Sequence, residues 1–372
     1  MFNSQRLKLA RERRGMTKKS LAELSGITTR TLSTYENAGF LESIDENTLS
    51  KVAAALNYPI EFFFQDNLEL LQQNGVSFRA MTKLSATKRD AALSAGSIAL
   101  ELNDWIESKF SLLNHDLLDF SKEKFAEPEI SATLLREHWG LGELSISNMI
   151  HLLESKGIRV FSLAENCLDV DAFSFWLDEK PFIFLNTMKT PERSRFDAAH
   201  ELGHLVLHKH SSNNGREAEE QADKFASAFL MPAASVVATI SEYPQLDDLI
   251  KLKKKWKVSL AALIRRTFDL NISTEWHYRQ LNIALSRKYG RTKEPEGMEQ
   301  RETSLILTKV FDALRNKGIK RSELLKELNL PLDELRALTF DNNYFGLELI
   351  SKMNNVTGTK SSTQPTTLKI VN

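Results

Sequence analysis

The sequence predicts a mainly α protein with one small β-sheet (α+β), in three parts: an N-terminal all-α unit, a mixed central unit and a C-terminal helical module. Three observations carry this. Helical apolar spacing with capping residues recurs from residue 4 to 56, from 87 to 110, from 193 to 230 and from 245 to 338. Only three short runs, 158–163, 172–177 and 181–186, have strand-forming composition bounded by Asp, Glu, Asn or Pro. Two polar stretches, 114–129 with its proline and 290–297 with Gly and Pro, then read as boundaries. The resulting units are 1–66, a helical linker 67–130, 131–293, 294–353 and a tail 354–372.

Composition narrows the function before any motif does. With 42% hydrophobic and 26% charged residues, 372 residues suffice for two or three ordinary globular cores. One cysteine, Cys167, excludes an internal disulfide framework and a cysteine-based zinc finger. The first residues lack a signal-peptide apolar core, and no apolar run approaches a membrane span, so the expectation is a cytoplasmic protein with no membrane partner. The 49 Lys/Arg balance 49 Asp/Glu, but the charge is segregated. Residues 1–40 hold eight Lys/Arg against Glu12, Glu23 and Glu36, and residues 251–293 hold twelve against Asp269 and Glu275. Such blocks point to phosphate contact or, more plainly, to solvated helix faces.

The N-terminal unit divides into four helices. The first covers 4–14; Thr17 caps a second that ends near Gly26; Thr28 caps a third through Glu36; the fourth covers 46–56. Ser25-Gly26-Ile27 has the small-Gly-apolar pattern of a helix-turn-helix, and Leu7, Ala10, Leu21, Ala22, Ile27, Leu32, Leu49 and Val52 have the spacing of one shared core. The stretch Arg6-Leu7, Ala10-Arg11, Arg14-Gly15-Met16-Thr17, Leu21-Ala22, Gly26-Ile27-Thr28 and Thr31 to Glu36 resembles the DNA-binding domain of XRE (Cro-like) regulators over residues 4–64. The resemblance implies a recognition helix at 28–36 reading double-stranded operator DNA in the major groove. Thr28, Thr29, Arg30, Thr31 and Ser33 would stand at or near base edges, and Lys18 and Lys19 would meet phosphate. It also implies a homodimer on a palindromic site.

In the linker, residues 87–110 read as a helix packed through Leu93, Ile98, Leu100 and Trp105. Beyond it, 145–155 is an amphipathic helix ended by Lys156-Gly157, followed by the three strands. The next helix carries His200-Glu201-Leu202-Gly203-His204. Positions i and i+4 share a helix face, so both imidazoles can serve one zinc ion while Glu201 stands beside the remaining position as a base. A catalytic zinc needs a third protein ligand. His210 has the spacing used by metzincins, but the glycine that turns that chain back is replaced by Leu207. Glu219 opens a second helix, with Asp223 one turn on placed to orient a ligand histidine, as in gluzincins; Glu220 remains a further possibility. Asp197 stands near the first ligand as a cap or a tuning charge, and His208 and Arg195 are candidate donors to an oxyanion.

Arg195-Phe-Asp-Ala-Ala-His200-Glu-Leu-Gly-His204-Leu-Val-Leu-His208, then Glu219, Ala222-Asp223, Phe225-Ala226 and Phe229-Leu230-Met231-Pro232, resemble the ImmA/IrrE family of metallopeptidases; the likeness continues through 258–266. It implies a zincin-like domain over 131–293 with Zn2+ on His200, His204 and Glu219, and an edge strand, here 181–186, that holds an extended peptide by strand addition. Together the two resemblances imply a bacterial or phage-encoded, nucleoid-associated regulator that cleaves a repressor or antitoxin-like partner. The alternative is a repressor or antitoxin whose peptidase-like domain senses a ligand or partner without cleaving it. After 290–297, segments 305–314, 321–328 and 332–338 resemble a degenerate helix-turn-helix suited to dimerisation or partner binding, and the polar tail from Asn354 reads as disordered.

Overall fold

The computed structural model describes residues 1–72, 85–122, 127–163, 170, 172–210, 215–290, 293–345 and the backbone of 369–370. Cys167 and the tail, apart from those last two positions, lie outside the described residues.

Helices α1 (Ser4–Arg13), α2 (Lys18–Ser25), α3 (Thr29–Asn37) and α4 (Glu46–Leu56) form the N-terminal domain. Their limits follow from local chemistry. Thr17, Thr28 and Asp45 each accept a backbone N–H three residues on, and Gly26 ends α2 at φ 65°, a conformation in which a Cβ is costly. The two-residue strands β1 (Phe2–Asn3) and β2 (Phe40–Leu41) pair to close the bundle. Seven of the eight residues expected in its core are buried, and Ile27 packs at the margin.

This domain does not stand apart. Helix α5 (Ala86–Lys109) packs along α1, where the Arg6 guanidinium grips Glu101 through contacts of 2.6 and 3.1 Å. At its end, β3 (Phe110–Ser111) pairs with residues 369–370.

The central unit begins with α6 (Pro128–His138) and α7 (Met149–Ser155). The latter starts four residues later than its apolar pattern suggests, because Asn148 takes the capping position. Strands β4 (Arg159–Leu163), β5 (Ala172–Leu177) and β6 (Lys180–Asn186) follow. β5 and β6 form a hairpin whose turn residues, Asp178 and Glu179, sit at φ 46° and 58°, as a two-residue hairpin of matching twist requires. β4 lies parallel to β6 on its other side, so the spatial order is β4-β6-β5. The segment 181–186 is therefore the middle strand and cannot be the peptide-binding edge; that expectation fails because two short partners occupy both of its sides. Side-chain alternation buries both faces. Phe161, Phe173, Phe175, Phe182 and Phe184 face the core shared with the N-terminal domain and the C-terminal helices, while Val160, Ala172, Ile183 and Leu185 face the core around the His-Glu helix.

That helix, α8 (Pro191–Leu207), and α9 (Arg216–Leu230) lie side by side. Helices α10 (Ala233–Thr239), α11 (Leu246–Trp256), α12 (Leu260–Asp269) and α13 (Glu275–Tyr289) complete the unit. Its basic block is partly neutralised from within the fold. Lys253 lies 3.0 Å from Glu294 and 3.7 Å from Glu192, Lys254 pairs with Glu296, Lys288 with Asp247, and Arg266 holds Glu129 by two contacts. The acids were missed by a window count because they lie outside it in sequence.

Helices α14 (Leu305–Asn316), α15 (Arg321–Leu328) and α16 (Leu332–Leu338) form the C-terminal module. It packs on the sheet, where Ser162 Oγ donates to the Ala337 carbonyl, and on the N-terminal domain, where Arg13 and Arg14 meet Glu334.

Candidate metal centre and DNA-reading helix

Helix α8 starts at the Thr190 cap and runs uninterrupted through Leu207, with His208 as its C-terminal cap. Two features press the second helix against it. Gly203 has no Cβ; one built there would lie 3.1 to 3.3 Å from Phe225 and Ala222 of α9. Phe225, Ala226 and Phe229 are fully buried beneath. Glu219, in the first turn of α9, is thereby carried to the two histidines.

The three side chains converge. His200 Nε2 and His204 Nε2 are 3.1 Å apart; Glu219 reaches them at 3.4 and 3.5 Å through its two oxygens. Ligands about 2.0–2.1 Å from a tetrahedral zinc stand roughly 3.3 Å from each other, so the spacing fits such an ion. The donor set fits as well: two imidazole nitrogens and one carboxylate suit zinc, whereas calcium or magnesium would ask for oxygens. Among the described residues this is the His/Cys/Asp/Glu grouping with that convergence. Without an ion, burial opposes a charge on His200, but hydrogen bonds to Asp223 and Glu219 raise its pKa well above the usual histidine range. Burial pushes the Glu219 pKa up, but hydrogen bonds from His200 and His204 outweigh it and hold the carboxyl below the usual carboxylate range.

Surrounding groups hold these side chains. Asp223 Oδ1 stands 2.8 Å from His200 Nδ1, within hydrogen-bond distance. Glu201 is buried, and its Oε2 accepts a hydrogen bond from Ser174 Oγ of β5 at 2.7 Å. Sequence reading did not name Ser174; its alternation with Phe173 and Phe175, which bury on the opposite face of the sheet, was the available signal. His204 Nδ1 lies 3.1 Å from His208 Nδ1, and His208 Nε2 lies 2.8 Å from Gln221 Oε1. Burial holds the His208 pKa below the usual histidine value.

The remaining sequence candidates lie elsewhere. His210 is half exposed and stands 3.3 Å from Asp119, because α8 continues through Leu207 instead of turning back. Glu220 is exposed and pairs with Arg216. Asp197 pairs with Lys189 at 3.3 Å and is not the helix cap. Arg195 is buried against Glu302 and the Ile146 carbonyl, and His208 is engaged between His204 and Gln221.

In the N-terminal domain, Thr29 and Arg30 are exposed on α3, with Thr31 and Ser33 half-buried. The Thr28 hydroxyl accepts the Thr31 N–H and lies 2.8 Å from the Thr31 hydroxyl, so both are partly spent on capping. Lys19 projects into solvent, 3.9 Å from Glu23, whereas Lys18 is tied to Glu36 at 3.1 Å. Glu36 in turn receives the buried Arg11. Of the basic residues in the first forty, Arg6, Arg11, Arg13 and Arg14 all have internal carboxylates. The charge block thus builds the domain as much as it faces a ligand.

Among the described residues no helix is long and apolar enough to cross a membrane. Comparison with curated proteins yields no match. Residues 7–63 match the helix-turn-helix family, and residues 153–268 match the IrrE N-terminal-like domain, a peptidase family. The chain therefore joins a segment similar to XRE-type helix-turn-helix DNA-binding domains to a segment similar to the IrrE N-terminal-like domain of a peptidase family.

Proposed function

We propose that this protein is a transcriptional regulator whose central domain is a zinc-dependent endopeptidase, and that it controls an operon by cleaving a repressor or antitoxin-like protein. The observation that carries the reading is the convergence of His200, His204 and Glu219 beside a buried, hydrogen-bonded Glu201. His200, His204 and Glu219 would hold the zinc. When bound, that ion would acidify a water and polarise a scissile carbonyl. Glu201 takes a proton and returns it to the leaving amine. Ser174 keeps one of its carboxylate oxygens fixed, so the other is aimed. Asp223 accepts from His200 Nδ1 and leaves Nε2 for the metal.

An extended substrate would add along β5. This strand pairs with β6 on one side and lies over α8, where the Trp176 indole donates to the Leu205 carbonyl at 3.1 Å. DNA would be met by α3, with Arg30 at a guanine, Thr29 and Ser33 beside it, and Lys19 on phosphate. Lys18 would serve chiefly through Glu36. A homodimer on a two-fold operator accords with the helix-turn-helix domain.

The test pairs zinc analysis of the purified chain with cleavage of the products of neighbouring genes. Wild type should contain one zinc and cut a partner, and Glu201→Ala should keep the zinc without cutting. If both release the operon equally well, regulation proceeds without proteolysis and the domain is a sensor.

A further inference from the structure

We propose that His208 and Gln221 are positioning residues that select the metal-competent tautomer of His204. The inference rests on reading His200, His204 and Glu219 as a metal centre.

His204 is almost wholly buried, and both of its ring nitrogens are engaged. Its Nε2 faces the convergence point. Its Nδ1 faces His208 Nδ1 at 3.1 Å, and His208 Nε2 faces Gln221 at 2.8 Å. With both imidazoles neutral, each contact holds one proton, so the chain can run in two directions only. If the Gln221 carbonyl accepts from His208 Nε2–H, then His208 Nδ1 carries a lone pair and accepts from His204 Nδ1–H. That leaves the lone pair of His204 on Nε2, directed at the metal position. If the Gln221 amide turned over, its NH2 would donate to His208 Nε2. His208 Nδ1–H would then donate to His204, and the proton of His204 would sit on Nε2, where it blocks coordination.

The carbonyl oxygen of Gln221 is the atom facing His208, which is the direction that leaves the ligand atom bare. A ligand histidine ordinarily gives its second N–H to a carboxylate, a carbonyl or a water. His200 follows that habit with Asp223. His204 uses a second imidazole as a spacer and reaches a carbonyl only through it. Both arms end on α9, so the helix that supplies Glu219 also sets the protons of both histidines.

Removing the His208 side chain leaves its capping role intact, because its backbone N–H makes the bond to the His204 carbonyl. The measurement is the affinity of the full chain for Zn2+ against a chromophoric chelator, with the absorption of the Co2+-loaded protein as a second readout. His208→Ala and Gln221→Leu should each weaken Zn2+ binding about 10- to 100-fold and alter the Co2+ bands, the range seen when such outer partners are lost. Gln221→Glu, which presents only acceptor oxygens to His208, should bind at least as tightly as wild type. Affinities within about twofold of wild type for both His208→Ala and Gln221→Leu overturn the proposal. A folded wild type that binds no Zn2+ overturns the metal centre itself, a different result.

Discussion

Two clusters of buried charge in this chain are built on opposite principles. At the joint between the N-terminal and C-terminal helices, Glu334 is fully buried and receives Arg13 at 2.8 Å, Arg14 at 3.1 Å and the Tyr58 hydroxyl at 3.1 Å. Asp333 completes the set with Arg14 and Asn57. Donors and acceptors there match, and the cluster closes on itself. At the candidate metal centre, two imidazole nitrogens and a carboxylate point at one another. Nothing in that trio supplies the positive centre it surrounds unless a histidine stays protonated. The difference separates charge buried to hold a fold from charge buried to hold something else.

The largest expected effect is catalytic. Glu201→Gln should leave Zn2+ binding intact and lower the cleavage rate by about 10²- to 10⁴-fold, the usual contribution of a positioned general base. A rate close to wild type would remove Glu201 from the chemistry. Next comes the metal itself. With Zn2+ a thousandfold above its Kd, binding stabilises the folded state by about 4 kcal/mol, so a chelator should lower the Tm of wild type and leave that of Glu219→Ala unchanged. Glu334→Ala should behave in the contrary way. It takes the carboxylate away from the buried Arg13 guanidinium and leaves Arg14 with Asp333 alone of its two acids, and should cost about 3–5 kcal/mol, equally with and without chelator. Were the Glu334 variant's loss to depend on zinc, the two clusters would be coupled and the contrast would fall.

The two clusters also differ in how far sequence reading reaches them. His200, His204, Glu219 and Asp223 sit on two adjacent helices, and helical periodicity alone aligns i with i+4 on each. The caps at Thr17 and Thr28 and the limits of α4, α15 and α16 were legible for the same local reason. Glu334 is 321 residues from Arg13, and no local pattern connects them. The same holds for Ser174, which reaches Glu201 across 27 residues through strand alternation, and for the order of the sheet, where 181–186 proved central. The internal partners of the basic blocks were not legible because charge was counted along the chain, whereas pairing is set by packing.

A smaller effect should appear in pH. Glu154 of α7 is buried, and burial raises its pKa from 4.5 to about 7, even though the Ser304 hydroxyl and the Leu305 and Ile306 N–H groups favour its charge. The folded chain therefore holds this proton where the unfolded chain has lost it. The stabilisation is complete below pH 4.5 and declines as pH rises through about 7, amounting to on the order of 3 kcal/mol. Melting curves should show wild type losing Tm between about pH 5 and 7.5, with Glu154→Gln flattening that slope. An unchanged slope in the variant would place the titrating group elsewhere. Because Glu154 anchors the start of α14, this carboxyl belongs with Glu334 among the buried acids that hold the fold.

The smallest effect tests the surface that neither cluster occupies. Arg30 is exposed on α3 with no internal carboxylate among the described residues, unlike Arg6, Arg11, Arg13 and Arg14. Its removal should leave the Tm unchanged and cost about 1–3 kcal/mol in operator binding, with relaxed preference at one base pair per half-site. Lys19→Ala should instead weaken all DNA about equally and reduce the salt dependence by about one counterion. Footprinting at several salt concentrations distinguishes the two. If Arg30→Ala keeps wild-type base preference, α3 does not read the operator through this residue. Arg11→Ala gives the internal contrast: it leaves the buried Glu36 with Lys18 as its remaining cation, so any loss of DNA binding should come with a loss of stability.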